Sequence, residues 1–269
     1  MSDSRVVLVT GASSGIGRAI AVRLAARGDT VFGGSRAGRE CGPGVTPVAI
    51  DVDDERQVAA AISSIVAQAG RIDAVVNNAG FGLAGAVEDT TVDEARAQFE
   101  TNLFGVMRVC RAVLPLMRAQ GRGRIVNVSS IAGRIAIPFQ GLYSASKAAL
   151  DSLSEALRHE LVAHGVHVSV VAPGDFRTGF TTARRMTAAS TADSAYHGRC
   201  SAAVAVMARD ERNAATPEAV GECVLAILDA SAPRFHYTVG PFIQRAAVWL
   251  RPWLPAALFE WIIRRLYAA

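Results

Sequence analysis

The sequence lacks the features that mark several classes of protein. Its four cysteines, Cys41, Cys110, Cys200 and Cys223, form no C-x-x-C pair and have no histidine cluster beside them. We therefore expect neither a disulfide framework nor a metal site. No run of about 18 uninterrupted apolar residues is present, so a membrane-spanning helix is not predicted.

The sequence also lacks a strong excess of positive or negative charge. Lysine and arginine number 28 and acidic residues 24, which gives a net charge of +4, and the basic residues are scattered apart from short arginine pairs at 184–185 and 264–265. Such a balance does not favour nucleic-acid binding. The first residues run directly into "RVVLVTG" without a signal-peptide pattern, so we expect a cytoplasmic location.

What the sequence does contain is a regular alternation of strands and helices. Continuous apolar runs predict six strands, "VVLVT", "TVFGG", "VTPVAIDV", "IDAVVNNAG", "GRIVNVSS" and "VHVSVVAPG". Helical spacing follows most of them, including long helices over 92–117, which Pro115 bends or ends, and 143–164. Strands that are apolar throughout are buried on both faces, so a parallel sheet between two helical layers is predicted.

No long linker divides residues 1–240, so we predict a single domain there. Residues 175–215 are irregular and rich in Thr, Ala, Ser and Arg, which is typical of a substrate loop or lid. Residues 241–269 form an aromatic tail that carries every tryptophan.

A glycine turn follows the first strand. "TGASSGIG" places Gly11, Gly15 and Gly17 between a strand and a helix, where a backbone must turn tightly and approach a pyrophosphate. Ser13 and Ser14 would add hydroxyl donors. The strand and helix on either side make this much stronger evidence for dinucleotide binding than glycines alone.

The T-G-x-x-x-G-I-G pattern resembles the short-chain dehydrogenase/reductase family in its classical branch. Five further motifs follow in the family's order: "DV", "NNAG", "TNLFG", "NVSS" with the later Tyr and Lys, and "PGDFRT". The resemblance covers residues 5–240 and implies a Rossmann-like, doubly wound α/β fold. The cofactor-binding residues that it implies are Gly11, Ser13, Ser14, Gly15, Ile16, Gly17, Asp51, Val52, Asn78, Ala79, Gly80, Tyr143, Lys147, Pro173, Gly174, Phe176 and Thr178.

The second strand ends without the carboxylate that would bind an NAD ribose. The sequence there is "GGSRAGR", and a guanidinium at Arg36 suits a 2′-phosphate through charge-assisted hydrogen bonds. We therefore predict NADP(H), with NAD(H) as the alternative cofactor. Arg39 is a weaker second candidate, and a solvated loop charge is the structural alternative for Arg36.

Tyr143 and Lys147 lie four residues apart on one predicted helix, so they share a face. Carbonyl reduction needs an acid, and a nearby cation lowers the pKa of a phenol. We therefore predict that Tyr143 is the general acid/base and that Lys147 lowers its pKa. The resemblance implies that Lys147 also binds the nicotinamide ribose.

Ser130 ends a strand, where ligands of parallel sheets bind, and its hydroxyl can stabilise charge on a carbonyl oxygen. The family spacing of thirteen residues before the tyrosine selects Ser130 over Ser129. By resemblance alone, Asn102 would hold a water of a proton relay. Without the resemblance, Asn102 would be a polar residue inside a helix.

Several residues keep two interpretations. Asp51 contacts adenine or caps the next helix, and Asn78 contacts the adenine ribose or fixes its turn. Phe139, Phe176 and Phe180 line an apolar pocket or belong to the core. His159, His164 and His167 are expected at the surface, whereas His197 is a minor candidate for substrate contact.

The tail is predicted to form two short helices separated by Pro252 and Pro255. The second, over 256–267, places Leu258, Phe259, Ile262, Ile263 and Leu266 opposite Arg264 and Arg265. Docking on its own fold or pairing with a subunit is favoured over contact with a membrane surface.

These observations predict an NADPH-dependent reductase that interconverts an apolar ketone or aldehyde and its alcohol. An NAD-linked secondary alcohol dehydrogenase and a non-catalytic dinucleotide sensor are the alternatives. The expected partners are a small apolar substrate and further copies of the chain, as a dimer or tetramer, but not nucleic acid.

Overall fold

The computed structural model describes residues 4–267. The strands in this part of the chain are β1 (Val6–Thr10), β2 (Thr30–Ser35), β3 (Val45–Ala49), β4 (Ala74–Asn77), β5 (Leu83–Ala84), β6 (Gly123–Val128), β7 (Val166–Pro173), β8 (Arg185–Met186) and β9 (His236–Val239). The helices are α1 (Gly15–Arg27), α2 (Glu55–Ala69), α3 (Val92–Phe99), α4 (Gly105–Gln120), α5 (Gly141–Leu161), α6 (Phe180–Ala183), α7 (His197–Asn213), α8 (Glu218–Asp229), α9 (Phe242–Leu250) and α10 (Ala256–Leu266).

The main sheet has seven parallel strands in the order β3-β2-β1-β4-β6-β7-β9. The first strand lies inside it, with Val9 opposite Gly33 on one side and Val76 on the other. A short parallel pair, β5 with β8, lies apart from this sheet. The doubly wound α/β fold predicted from the sequence is therefore confirmed.

Alternate residues of β1 pack into two separate cores. Leu8 packs with residues of α2, α4 and α5, whereas Val7 and Val9 pack with residues of α1 and α8. Side chains of a strand alternate between the faces of its sheet, so both faces of this sheet are covered by helices. This burial explains why the strands are apolar at every position.

The helix predicted over 92–117 is interrupted. A π-helical segment, Glu100–Phe104, separates α3 from α4. Pro115 does not end α4, which continues to Gln120. Burial of Val113 and Met117 on either side of the proline offsets its cost, which is about 3 kcal/mol in a helix interior.

Residues 175–215 are more regular than predicted. They contain α6, β8 and the 17-residue helix α7. Small buried residues such as Cys200 and Ala203 face inward on α7, so the helix gives only a weak apolar pattern. Strand β9 was also not predicted. Its four residues are only half-buried at the sheet edge, so they do not form a continuous apolar run.

Helix ends largely follow their capping residues. The Asp54 carboxylate accepts hydrogen bonds from the Arg56 and Gln57 N–H groups at the start of α2. Helix α8 begins at Glu218 with Pro217 at its cap. The tail forms two helices, as its prolines predict. In the described residues 4–267, no helix combines the length and hydropathy needed to cross a membrane.

Candidate active site

A cleft of about 560 Å³ lies at the carboxyl ends of β1, β4, β6 and β7. Ligands of open parallel sheets bind at this edge. The predicted site residues that line the cleft are Gly11, Ser13, Ser14, Gly15, Ile16, Arg36, Asp51, Val52, Asn78, Ala79, Gly80, Ser130, Tyr143, Lys147, Pro173, Gly174, Phe176 and Thr178. The structure thus brings together residues from the full length of the predicted domain.

The glycine turn needs glycine for conformation and for space. Gly11 and Gly15 have φ values of +64° and +54°, where a side chain is strained. Gly17 instead lies behind the cleft wall: a Cβ there would stand 2.3 Å from the Gly11 carbonyl oxygen. Gly17 was predicted to bind cofactor, but its position gives it a packing role, since α1 must approach the turn closely.

The first turn of α1 faces the cleft with free hydrogen-bonding groups. Ser14 is the N-cap residue, and its side chain makes no capping hydrogen bond. Its hydroxyl and the first N–H groups of α1 are therefore available to an anion, which the positive end of the helix dipole favours.

Asn78 fixes the glycine turn. Its Nδ2 atom donates to the carbonyl oxygens of Thr10 at 3.0 Å and Gly11 at 3.1 Å, while its backbone N–H donates to the Thr10 hydroxyl at 3.0 Å. The structural interpretation of Asn78 is therefore supported, although the residue also lines the cleft.

Arg36 lies at the end of the cleft next to β2. Its side chain is exposed and makes no hydrogen bond or ion pair to any residue of the described range 4–267. Arg39 does not line the cleft, although its backbone N–H donates to the Ser35 hydroxyl at 2.8 Å. Of the two arginines, only Arg36 is placed to meet a ligand in the cleft.

Asp51 does not cap α2, since Asp54 does. Its carboxylate instead accepts from the Asp53 backbone N–H at 3.1 Å. Asp51 and the buried Val52 both line the cleft beside Arg36. The capping interpretation of Asp51 is therefore wrong, and its contact with adenine stays a prediction.

Tyr143 is buried at the cleft, and burial raises its pKa to about 12. The Ser130 hydroxyl has the next largest effect, and it lowers the pKa of Tyr143. Ser130 comes two residues after the end of β6, and its hydroxyl accepts from the Ala132 N–H at 3.1 Å. Ser129 instead points its hydroxyl at the Lys147 carbonyl, so Ser130 is the serine beside the phenol.

Lys147 is buried one helical turn after Tyr143, and its ammonium donates to the Val128 carbonyl oxygen at 2.9 Å. Burial lowers the pKa of Lys147 to about 8, and the carboxylate of Asp151, one turn further on, opposes this. The predicted lowering of the Tyr143 pKa by Lys147 is not observed: the lysine is not among the groups that shift it. Burial of the phenol dominates.

Asn102 lies in the π-helical segment, fully buried behind the cleft wall rather than lining it. Its Nδ2 atom donates to the Phe81 carbonyl oxygen and to the Ser146 hydroxyl, each at 3.1 Å. A Cβ placed on Gly80 would stand 2.9 Å from Asn102 Oδ1 and 3.7 Å from Lys147 Nζ. Asn102 is therefore close to the lysine without a direct hydrogen bond to it.

The three phenylalanine candidates differ in whether they line the cleft. Phe180 lines the cleft, with its ring centroid 5.7 Å from that of Tyr143. Phe176 is buried and belongs both to the core and to the cleft wall. Phe139 and the exposed His197 do not line the cleft. His159 and His164 are exposed as predicted, and His167 is half-buried.

Sequence reasoning missed a group of residues on the substrate side of the cleft. Tyr267, Glu211 and Asp175 all line it. Arg184 forms a buried ion pair with Glu211. Arg184, Glu211 and Tyr267 come from segments outside the recognised motifs. Asp175 lies inside "PGDFRT" but was given no role, and no spacing rule connects these residues with Tyr143.

Helix α9 is attached to this side of the cleft. The Gln244 side chain accepts from the Asp175 N–H at 2.9 Å and donates to the Asp175 carboxylate at 2.5 Å. The tail therefore packs against its own domain next to the cleft.

The geometry supplies an acid, a hydrogen-bond donor and a cation beside a cleft with an anion-binding turn. Comparison with known proteins agrees with this chemistry. A family model for short chain dehydrogenases matches residues 5–189. The 3-ketodihydrosphingosine reductase of Bacteroides thetaiotaomicron is 38% identical over 264 residues, which cover 98% of each chain.

Solved structures show the same architecture. A short-chain dehydrogenase/reductase from Burkholderia phymatum, crystallised with NAD, is 30% identical and matches with a TM-score of 0.80 over 93% of each chain. A short chain dehydrogenase from Burkholderia cenocepacia, crystallised with NADP, is 31% identical with a TM-score of 0.72 over 93% of each chain. The chain therefore belongs to the short-chain dehydrogenase/reductase family of oxidoreductases.

Proposed function

We propose that this protein is an NADPH-dependent reductase of an apolar ketone or aldehyde. The observation that carries the proposal is the buried Tyr143 phenol, which lies at the edge of a cleft that begins at a glycine turn. Ser130 lines the same cleft, and the buried Lys147 ammonium lies one helical turn after the phenol. A protein that only sensed a dinucleotide would have no use for this acid.

The residues of the cleft fit a nicotinamide dinucleotide. Gly11 and Gly15 bring backbone close to a pyrophosphate, and the Ser14 hydroxyl is uncommitted. Arg36 has no partner within residues 4–267 and faces the same cleft, which favours a ribose 2′-phosphate and hence NADP(H). NAD(H) stays the alternative, because related structures hold either cofactor.

When bound, the nicotinamide supplies the hydride that reduces the carbonyl carbon. Tyr143 donates its proton to the carbonyl oxygen, and Ser130 donates a hydrogen bond that stabilises negative charge on that oxygen. Lys147 provides positive charge beside the phenol, and Asn102 holds the backbone around Phe81 behind it. Residues 175–215 close the substrate side through Phe180 and Glu211.

The substrate class follows from the lining on that side. Phe81, Phe180 and Tyr267 give it aromatic surface. The Bacteroides relative is named for a 3-keto substrate, which supports a ketone as the substrate of this protein.

Assembly into a dimer or tetramer is proposed as well, supported by partly exposed Phe104 and Met107 near the start of α4. The cytoplasmic location stays a prediction.

The decisive experiment follows nicotinamide absorbance with a panel of apolar ketones and both cofactors. We expect oxidation of NADPH in preference to NADH. Tyr143→Phe should abolish turnover while NADPH binding, measured by calorimetry, is nearly unchanged. Wild-type protein that binds NADPH but oxidises none with any ketone, or a Tyr143→Phe variant that turns over, would contradict the reductase assignment.

Arg36→Ala tests the cofactor preference separately. Loss of a charge-assisted hydrogen bond costs about 1.5–3 kcal/mol, so the ratio of kcat/KM for NADPH to that for NADH should fall roughly 10- to 100-fold. Arg39→Ala is the matched control, since Arg39 does not line the cleft. An unchanged ratio in Arg36→Ala would refute the assignment of Arg36.

A further inference from the structure

The two tail helices, α9 and α10, present a large outward apolar surface. Trp253 is 78% exposed, Phe242 80% and Ile243 79%. We define the tail surface as the exposed apolar side chains of this region: Phe242, Ile243, Trp249, Leu250, Trp253, Leu258, Trp261 and Leu266. Proteins that act alone in water rarely expose so much apolar area in one region, and such surfaces mark sites of interaction.

The opposite face of the tail is fixed to the domain. Phe259 is buried, and with Ile263 it borders a cavity formed with the first residues of α5 and the turn before it. Gln244 of α9 is hydrogen-bonded both ways to Asp175. The tail surface is therefore held in a set orientation, and its apolar side chains are not the part that docks on the protein's own core.

The charge of the tail points to the partner. Residues 241–267 contain four arginines, Arg245, Arg251, Arg264 and Arg265, and one acidic residue, Glu260, which leaves a charge of +3. Only Arg264 forms an ion pair there, with Glu260 at 3.1 Å. A second copy of the same surface would bring like charges together, whereas anionic phosphates would complement them.

The residue types agree with a lipid interface. Tryptophan and arginine combine apolar surface with polar groups that stay in the headgroup layer. Arg265 lies over the Trp261 ring at 5.7 Å, so this cation is held beside an aromatic side chain of the tail surface. Short amphipathic helices of this composition bind in the plane of a membrane surface.

The tail surface also adjoins the substrate side of the cleft. Tyr267, the residue after α10, lines the cleft together with Tyr143, and Asp175 lines it where Gln244 attaches α9. We propose that the tail surface docks this protein on an anionic lipid bilayer, with the cleft close to the membrane. The advantage of this position rests on the proposed function: an apolar ketone would reach the cleft from the bilayer.

Co-sedimentation with vesicles tests the docking without substrate or cofactor, so its outcome is independent of the reductase assignment. The full chain is mixed with phosphatidylcholine vesicles or with vesicles that also contain phosphatidylglycerol. We expect binding to the anionic vesicles, weaker binding at high salt, and little binding to phosphatidylcholine alone. A protein that stays in the supernatant with anionic vesicles would overturn the proposal.

Two variants locate the contact. Trp249→Ser combined with Trp253→Ser should weaken partitioning onto anionic vesicles at least about tenfold. Val162→Ser is the control, because Val162 is 73% exposed but lies at the end of α5, outside the tail. Circular dichroism and thermal melting check that each variant is folded. Equal vesicle binding by the double variant and by wild type would contradict the proposal.

Sedimentation velocity without vesicles tests the alternative that a second copy of the chain covers the tail surface. We expect wild type and the double tryptophan variant to have the same oligomeric state. Conversion of an oligomer to a smaller species by the tryptophan changes would show that a second copy covers the tail surface, and it would overturn membrane docking.

Discussion

At the scale of single residues, the site depends on two buried groups whose pKa values move in opposite directions. Burial disfavours the charged form of each, so it raises the pKa of Tyr143 to about 12 and lowers that of Lys147 to about 8. The phenol is thus protonated at neutral pH, which is the form that reduction requires. The spacing of the two residues indicated their shared face but not how strongly burial acts on each.

The pKa of Lys147 predicts the pH dependence of activity. If the ammonium supports proton donation by Tyr143, kcat/KM for ketone reduction should be level below pH 8 and fall above it, because Lys147 loses its proton there. Steady-state kinetics across this range measure the effect. A profile without a decline above pH 8 would contradict the need for a charged lysine.

The same shift predicts the pH dependence of stability. Between about 8 and the ordinary value of 10.5, the unfolded chain holds the Lys147 proton that the folded chain has released, so the free energy of unfolding rises with pH there. The full effect is roughly 3 kcal/mol. Lys147→Met removes this contribution, and urea unfolding of both proteins at several pH values gives the difference. Parallel curves would contradict the assignment.

At the scale of elements, one widened turn and one tight turn build the site. The π-helical segment places Asn102 inside the protein. There its amide oxygen accepts from the Phe81 N–H and its amide nitrogen donates to the Phe81 carbonyl oxygen. Insertions of this kind are frequent at functional sites. The glycine turn brings α1 so close to β1 that Gly17 meets the Gly11 carbonyl and the Asn78 amide.

Gly17→Ala tests the tight turn. The added Cβ would stand 2.3 Å from backbone, so the turn must shift, and overpacking costs about 1–3 kcal/mol. We expect a lower melting temperature and weaker NADPH binding. Gly198→Ala is the matched control, since Gly198 also lies in the first turn of a helix but has nothing within 4 Å of its Cβ position. Equal effects of the two changes would refute the close approach.

At the scale of the whole molecule, the tail completes the substrate side. Phe259 is 7% exposed, whereas its neighbour Leu258 is 46% exposed, so one residue anchors α10 and the next faces outward. Tyr267 enters the cleft only because α10 is docked in this way. Tyr267 therefore helps to shape a cleft whose proposed catalytic groups, Tyr143 and Lys147, lie more than a hundred positions earlier.

Phe259→Ala should release α10. The loss of a buried aromatic side chain costs about 3 kcal/mol, so hydrogen exchange of the α10 amides should accelerate roughly 100-fold, with little change in β1 or β4. Leu258→Ala should change exchange no more than about threefold, because that side chain is largely in water. Similar acceleration by both variants would contradict anchoring through Phe259.

The sequence by itself determined the doubly wound sheet and most of the cleft. Buried strands require apolar residues at every position, and close backbone approach requires glycine, so both leave local patterns such as "VVLVT" and "TGASSGIG". The shared face of Tyr143 and Lys147 follows from helical spacing, which is local as well, whereas the choice of Ser130 over Ser129 needed the family spacing to the tyrosine.

Only the tertiary structure decided what depends on contacts between distant segments. Helix α7 and strand β9 are stabilised by packing rather than by their own patterns, and the π-helical segment interrupts an otherwise continuous helical pattern. Burial of Tyr143 and Lys147 sets their pKa values, and the docking of α10 brings Tyr267 to the cleft. Such effects arise from what surrounds a residue in space, which no spacing along the chain records.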